Sequence, residues 1–172
     1  MCGDPGKEGQ GMETIGGGFF WQEMMLGRKL STRGRTVTET DLINFVGLSW
    51  FNEQIFTDEE YIREKAHIKG RLIPGALVFI VAEGLVAPSM EGTGMAFLNM
   101  EMDIRKPSFV GNTLHVEIEV IEARAASTGN RGLVRTRNTV VNQKSDTVMT
   151  YTPLRLMRGD PATATGHGAD AG

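Results

Sequence analysis

The residues best placed to act on a substrate together open the most apolar stretch of the chain, Lys69 to Ala87, read KGRLIPGALVFIVAEGLVA. Pro74 suits a first helical position because the N–H it lacks would have no acceptor there. Gly75 beside it lets another group approach the free amides of that helix end. Unpaired amides and the positive end of a helix dipole stabilise negative charge, so this start is a candidate anion or oxyanion site with the Gly75 N–H as donor. The competing reading of Gly75 is a glycine chosen for close packing. Glu83 is a second candidate on the same helix. An ionised carboxylate in so apolar a stretch is costly unless paired, so Glu83 is either a working acid or a carboxylate held by a salt bridge or dimer contact.

The remaining reactive side chains are scattered. His67 precedes the helix, His115 falls on an outward strand position, and His167 lies near the C-terminus. No two of them have metal-ligand spacing, so no metal is expected. Cys2 is the only cysteine, which rules out an intrachain disulfide and favours a reducing compartment. The triplet Gly16 to Gly18 follows no strand and opens no helix, so it is not a nucleotide loop.

A frame has to hold the start of the apolar helix. From Leu77 to Val86 apolar residues lie on nearly every side, which predicts a helix enclosed by other structure, and it is too short to span a bilayer. Upstream, Thr38-Glu39-Thr40-Asp41 resembles a capping box and predicts a short helix to about Gly47. Thr57-Asp58-Glu59-Glu60 reads as a second box, with a helix running toward His67. The loop between them, Leu48 to Thr57, holds Trp50, Phe51, Ile55 and Phe56 and must pack on something. Phe19-Phe20-Trp21 is expected to pin the preceding chain, and Arg28 to Val37 reads as extended.

After Pro88 the period changes to two. Ala96, Leu98, Met100, Met102 and Ile104 alternate with Phe97, Asn99, Glu101, Asp103 and Arg105, and after a turn Leu114, Val116, Ile118 and Val120 alternate with polar residues. These two strands are expected to be antiparallel neighbours. A third runs through Val134 to Val140 and a fourth through Val148 to Leu154. The fold class is α+β, with an antiparallel sheet wrapped around a central helix in the hot-dog arrangement. Residues 19–158 form the expected domain, and 1–18 and 159–172, glycine-rich and polar, are expected to be disordered tails. An open sheet edge is most simply satisfied by a second copy, so a homodimer or higher homo-oligomer is expected. The net charge of −3 gives no case for nucleic acid or an anionic membrane, and the N-terminus has no apolar export segment, which suggests a cytoplasmic protein.

Taken together, GRTVTETDLINFVGLS, then DEEYIREKAHIKGRLIPGALVFIVAEGL, then RKPSFVGNTLHVEIEV resemble the MaoC-like dehydratases, which include the R-specific enoyl-CoA hydratases. The likeness runs from about Gly34 to Met157. Asn52 to Ile55 and Asp58-Glu59-Glu60-Tyr61 look most like the mesaconyl-CoA and β-methylmalyl-CoA hydratase branch. The resemblance implies a hot-dog fold, dimerisation, and a lyase acting on a coenzyme A thioester that needs no separate cofactor. It also implies that the Gly75 N–H donates to the thioester carbonyl.

The likeness breaks at one place. The family carries an acid or amide and, five residues later, a histidine that together activate the water for hydration. Those positions are Phe51 and Phe56 here, and neither ring can move a proton, so the two are expected to contact substrate instead. Asn52 and Glu53 are the loop residues that could substitute in handling water. Glu83 stands nine residues after Pro74, the spacing at which PaaI-like hot-dog thioesterases place a catalytic acid. Lys69, Arg71, Arg105 and Lys106 could meet coenzyme A phosphates or be solvated surface charge. Three functions therefore stand open: hydration or dehydration, thioester hydrolysis through Glu83, and acyl-CoA binding without turnover.

Overall fold

The computed structural model describes residues 12–166; the stretches 1–11 and 167–172, with Cys2 and His167, lie outside the described residues. The expectation of disorder at the two ends is untested over those stretches. In chain order the elements are β1 (Glu13–Thr14), β2 (Lys29–Ser31), β3 (Arg35–Thr36), α1 (Glu39–Ser49), α2 (Gln54–Thr57), α3 (Glu59–Glu64), β4 (Leu72–Ile73) and α4 (Gly75–Val86). The second half is β5 (Gly94–Asn99), β6 (Met102–Ile104), β7 (Ser108–Phe109), β8 (Thr113–Ala125), β9 (Arg131–Asn142), β10 (Thr147–Tyr151) and β11 (Leu154–Arg158).

The long hairpin β8–β9 is the middle of the sheet. Its alternation decides the inside: Leu114, Val116, Ile118 and Val120 are buried, while His115, Glu117 and Glu119 stand on the other face. Each buried Leu or Val side chain stabilises by about 1.5–3 kcal/mol. Helix α4 fills the concave side with Leu77, Val78, Val81, Ala82, Leu85 and Val86. β2 and β3 pair with one side of β8. β9 pairs with both β10 and β11, whose outer neighbours are β6 and β5. Phe19 is buried in the core as expected. Gly132 is required beside Trp21, because a Cβ there would collide with the indole.

Several expectations are corrected. The stretch from Gly94 to Ile104 does not pair with β8; it crosses to the far edge and runs against β10 and β11. The cause is local, since Ser108 and Phe109 pair with Ile73 and Leu72 instead of turning the chain straight back. The same stretch is divided into two strands, and all of β5 is exposed, because it is the outer edge and nothing among the described residues covers it. The last strand is also divided, at Thr152-Pro153, as expected where a proline removes a ladder donor. Part of the predicted N-terminal tail is built into the sheet, with β1 parallel to β2 and Arg28 paired with Glu13. Past residue 158, Asp160 N–H donates to Gln22 Oε1 at 3.1 Å and Gln22 Nε2 donates to Thr163 Oγ1 at 2.9 Å, so the chain stays attached there too.

Helix ends are shifted as well. The first box forms as predicted, with Thr38 Oγ1 accepting from the Asp41 N–H and the Asp41 carboxylate accepting from the Thr38 N–H. The helix continues past Gly47 to Ser49, where Trp50 ends it in the left-handed conformation at φ 60°. The second cap is Asp58, not Thr57, because the Asp58 carboxylate accepts from the Tyr61 N–H at 3.0 Å while Thr57 ends α2. Pro74 is the N-cap of α4 rather than its first residue. Nor is α4 enclosed on every side: Ala76, Ile80 and Gly84 form an exposed stripe.

Candidate functional site

The start of α4 opens on a cleft of about 330 Å³. The Pro74 carbonyl accepts from the Leu77 and Val78 amides at 3.0 and 3.2 Å. The Gly75 and Ala76 amides, one turn too early for an intrahelical acceptor, have none among the described residues. Pro74, Gly75, Val78, Phe56, Ser108, Val148 and Met149 are among the residues that line the cleft. Gly75 also answers its second reading, since a Cβ there would run into the Ile104 side chain. The residue type is compatible with a close approach to Ile104, and the amide is left without an acceptor among the described residues.

The loop places the two aromatic positions together. Phe51 and Phe56 have ring centroids 5.8 Å apart, and Phe45 extends the cluster at 5.9 Å from Phe51. The loop is packed only in part, since Trp50 is 82% exposed and Phe51 is exposed as well. Phe56 is buried. Asn52 and Glu53 are exposed and are not among the residues lining the cleft. Glu53 caps α2 through its backbone carbonyl, which accepts from the Phe56 N–H at 2.9 Å.

Arg71 is committed within the fold. Its Nε donates to Glu39 Oε1 at 2.8 Å and its Nη1 to the Phe56 carbonyl, tying α1 and the aromatic loop to the strand that leads into α4. Arg105 is paired with Asp103 and Lys106 with Asp146 at the rim of the cleft. Lys69 donates to the Arg63 carbonyl at 2.8 Å, and His67 is exposed. Among the described residues, no cluster of His, Cys, Asp and Glu could hold a metal. None of the helices there is long and apolar enough to cross a membrane.

Glu83 faces a different part of the core. Its Oε1 accepts from Arg155 Nη2 at 2.6 Å and from the Tyr151 hydroxyl at 2.7 Å, and Arg155 is itself buried with its guanidinium over the Phe97 ring. Burial, and then the Glu83 charge, push the Tyr151 phenol well above its ordinary pKa, so it stays protonated and donates. The salt-bridged reading of Glu83 is thus realised, and Glu83 does not line the cleft.

Several buried side chains leave a polar group unpaired. Trp21, Thr93, Ser108 and Thr136 carry side-chain atoms with no hydrogen-bond partner among the described residues. Thr136 and Asn138 lie on the inward period of Val134 and Val140 along β9, where the alternation of the third strand puts them. Ser108 stood in what reads as a turn, and only its pairing with Ile73 turns it inward.

Similar solved structures share this fold. A monoamine oxidase regulatory protein from Archaeoglobus fulgidus is 25% identical, with a TM-score of 0.74 over 86% of this chain and 99% of that one. A MaoC-like dehydratase from Rhodospirillum rubrum is 19% identical, with a TM-score of 0.73 over 83% and 99%. The chain has the hot-dog fold of the MaoC-like dehydratases. The R-hydratase PhaJ1 of Pseudomonas aeruginosa shares that hot-dog fold at 25% identity, with a TM-score of 0.64 over 81% of this chain and 85% of that one. No protein-family model matches the chain, and no curated protein does.

Proposed function

We propose that this chain is a hydratase- or dehydratase-type hot-dog protein that takes a coenzyme A thioester into the cleft at the start of α4. The Gly75 N–H donates to the thioester carbonyl there, and Phe56 covers the acyl group with Phe51 behind it. The observation that carries this reading is a free helix-end amide opening into an otherwise largely apolar cleft, which suits a neutral carbonyl that gains negative charge as it reacts. The similar structures named for dehydratase and hydratase activity support the same class.

Turnover is expected to be slow. With phenylalanines at the two acid–base positions, each missing group removes about 10²–10⁴-fold of rate. Asn52 and Glu53 are exposed and do not line the cleft, so either would serve only after the loop moved. The chain therefore acts first as an acyl-CoA binder. A second copy covers the exposed strand β5 and the Ala76–Ile80–Gly84 stripe in a homodimer.

Calorimetric titration with crotonyl-CoA, combined with the enoyl-thioester absorbance, tests this. Binding with little or no loss of absorbance is the expected result. Absence of binding by crotonyl-, mesaconyl- and longer enoyl-CoA thioesters overturns it. Thiol release on mixing, lost in Glu83→Ala, would point instead to hydrolysis.

A further inference from the structure

We propose that Ser108 is a second donor to the carbonyl oxygen bound at Gly75, making a two-point carbonyl site; the inference rests on the thioester-binding reading. Ser108 is 3% exposed, and its Oγ has no hydrogen-bond partner among the described residues. A buried hydroxyl without a partner is unfavourable, and one retained in a cleft wall points to an acceptor that arrives from outside. Ser108 lines the same cleft as Gly75. It sits opposite Ile73 in the β4–β7 pair, two residues before Gly75, so one short ribbon fixes both groups.

The surroundings select the ligand's chemistry. Val78 and Val148 offer no side-chain acceptor and Met149 only a weak thioether one, and Arg105 and Lys106 at the rim are donors already paired with Asp103 and Asp146. A helix-end N–H and a hydroxyl with no acceptor of its own both suit an oxygen with two lone pairs and no proton. A thioester carbonyl meets that description, and a thioether does not. No bond is made or broken by Ser108, which binds and orients the carbonyl.

The experiment compares crotonyl-CoA with S-butyl-CoA, a thioether of the same chain length without the carbonyl, on the wild type and Ser108→Ala. Ser108→Ala should weaken crotonyl-CoA binding by about fivefold to tenfold and leave S-butyl-CoA binding unchanged. In the wild type, the infrared carbonyl stretch of bound, carbonyl-labelled crotonyl-CoA should lie below its value in water, and in Ser108→Ala part of that shift should be lost. Because alanine removes an unpartnered hydroxyl, the free variant should melt no lower than the wild type. Equal weakening of both ligands, or unchanged crotonyl-CoA binding and carbonyl stretch, overturns the role of Ser108 while leaving the thioester reading intact. Failure of the wild type to bind crotonyl-CoA overturns both.

Discussion

Glu83 and Arg155, 72 residues apart in sequence, close a partly buried ion pair at 2.6 Å between the central helix and the last strand. Two charges taken out of water are tolerated because each is satisfied by more than its partner: Tyr151 donates to Glu83, and the Phe97 ring lies against the guanidinium. The pair fastens α4 to the edge of the sheet that carries β5. That is a structural duty, carried out away from the cleft at the start of the helix.

Removing one member should therefore cost more than removing both. Arg155→Met is expected to destabilise by about 3 kcal/mol, because it strands the Glu83 carboxylate, whereas Glu83→Leu with Arg155→Met should recover much of the loss. Urea unfolding of the wild type, the single variant and the double variant measures this. A double variant less stable than Arg155→Met contradicts the argument.

The cap of α1 should show in the acid limb of stability. The Thr38 N–H above all, with the Thr38 hydroxyl and the Arg35 charge, holds the Asp41 carboxyl below its ordinary pKa of 3.8, against an opposing effect of burial that is second in size. A folded pKa below the unfolded one means stability that is fully present above the unfolded value and lost as pH falls through the folded one. Thr38→Ala is expected to cost about 1 kcal/mol at neutral pH. Its difference from wild type should shrink as the pH drops below 3.8, which denaturant melts at several pH values would show.

The exposed edge predicts the oligomer. Phe97 and Leu98 in β5 are 45% and 49% exposed, a pattern that leaves ladder groups and apolar side chains uncovered on one strand. Light scattering at micromolar concentration should give a dimer. Leu98→Lys, which sets a charge on that edge without touching the Arg155–Phe97 contact, should move the protein toward monomer. A monomeric wild type would remove the dimer from the proposal.

What could be read from the sequence follows the range of the interactions. Thr38 and Asp41 lie three residues apart, and the Pro74-Gly75 start of α4 is equally local, so both were visible from side-chain chemistry. Period two told which residues of β8 face inward. It does not tell which strand lies alongside, so the pairing of 94–104 with 147–158 rather than with β8 stayed hidden. Ser108 was invisible for the same reason, because its burial depends on meeting Ile73 across a two-residue ribbon. The need for a partner at Glu83 could be stated beforehand, but Arg155 as that partner could not.

The aromatic pair offers a direct test of the proposed site. Phe51 and Phe56 stand 5.8 Å apart, close enough for an acid and an imidazole at those positions to share one water. Phe51→Asp combined with Phe56→His should raise crotonyl-CoA hydration by at least about 10²-fold over wild type, followed by loss of the enoyl-thioester absorbance. Because the two groups would act as a unit, neither single variant should give more than a small part of the gain. Phe56 is buried, so the histidine variant should also be less stable, by about 2 kcal/mol or more, and activity has to be read well below its melting temperature. If the double variant still binds crotonyl-CoA and hydrates it no faster than wild type, then the rings do not occupy the acid–base positions, and the water would have to be activated from elsewhere around the cleft.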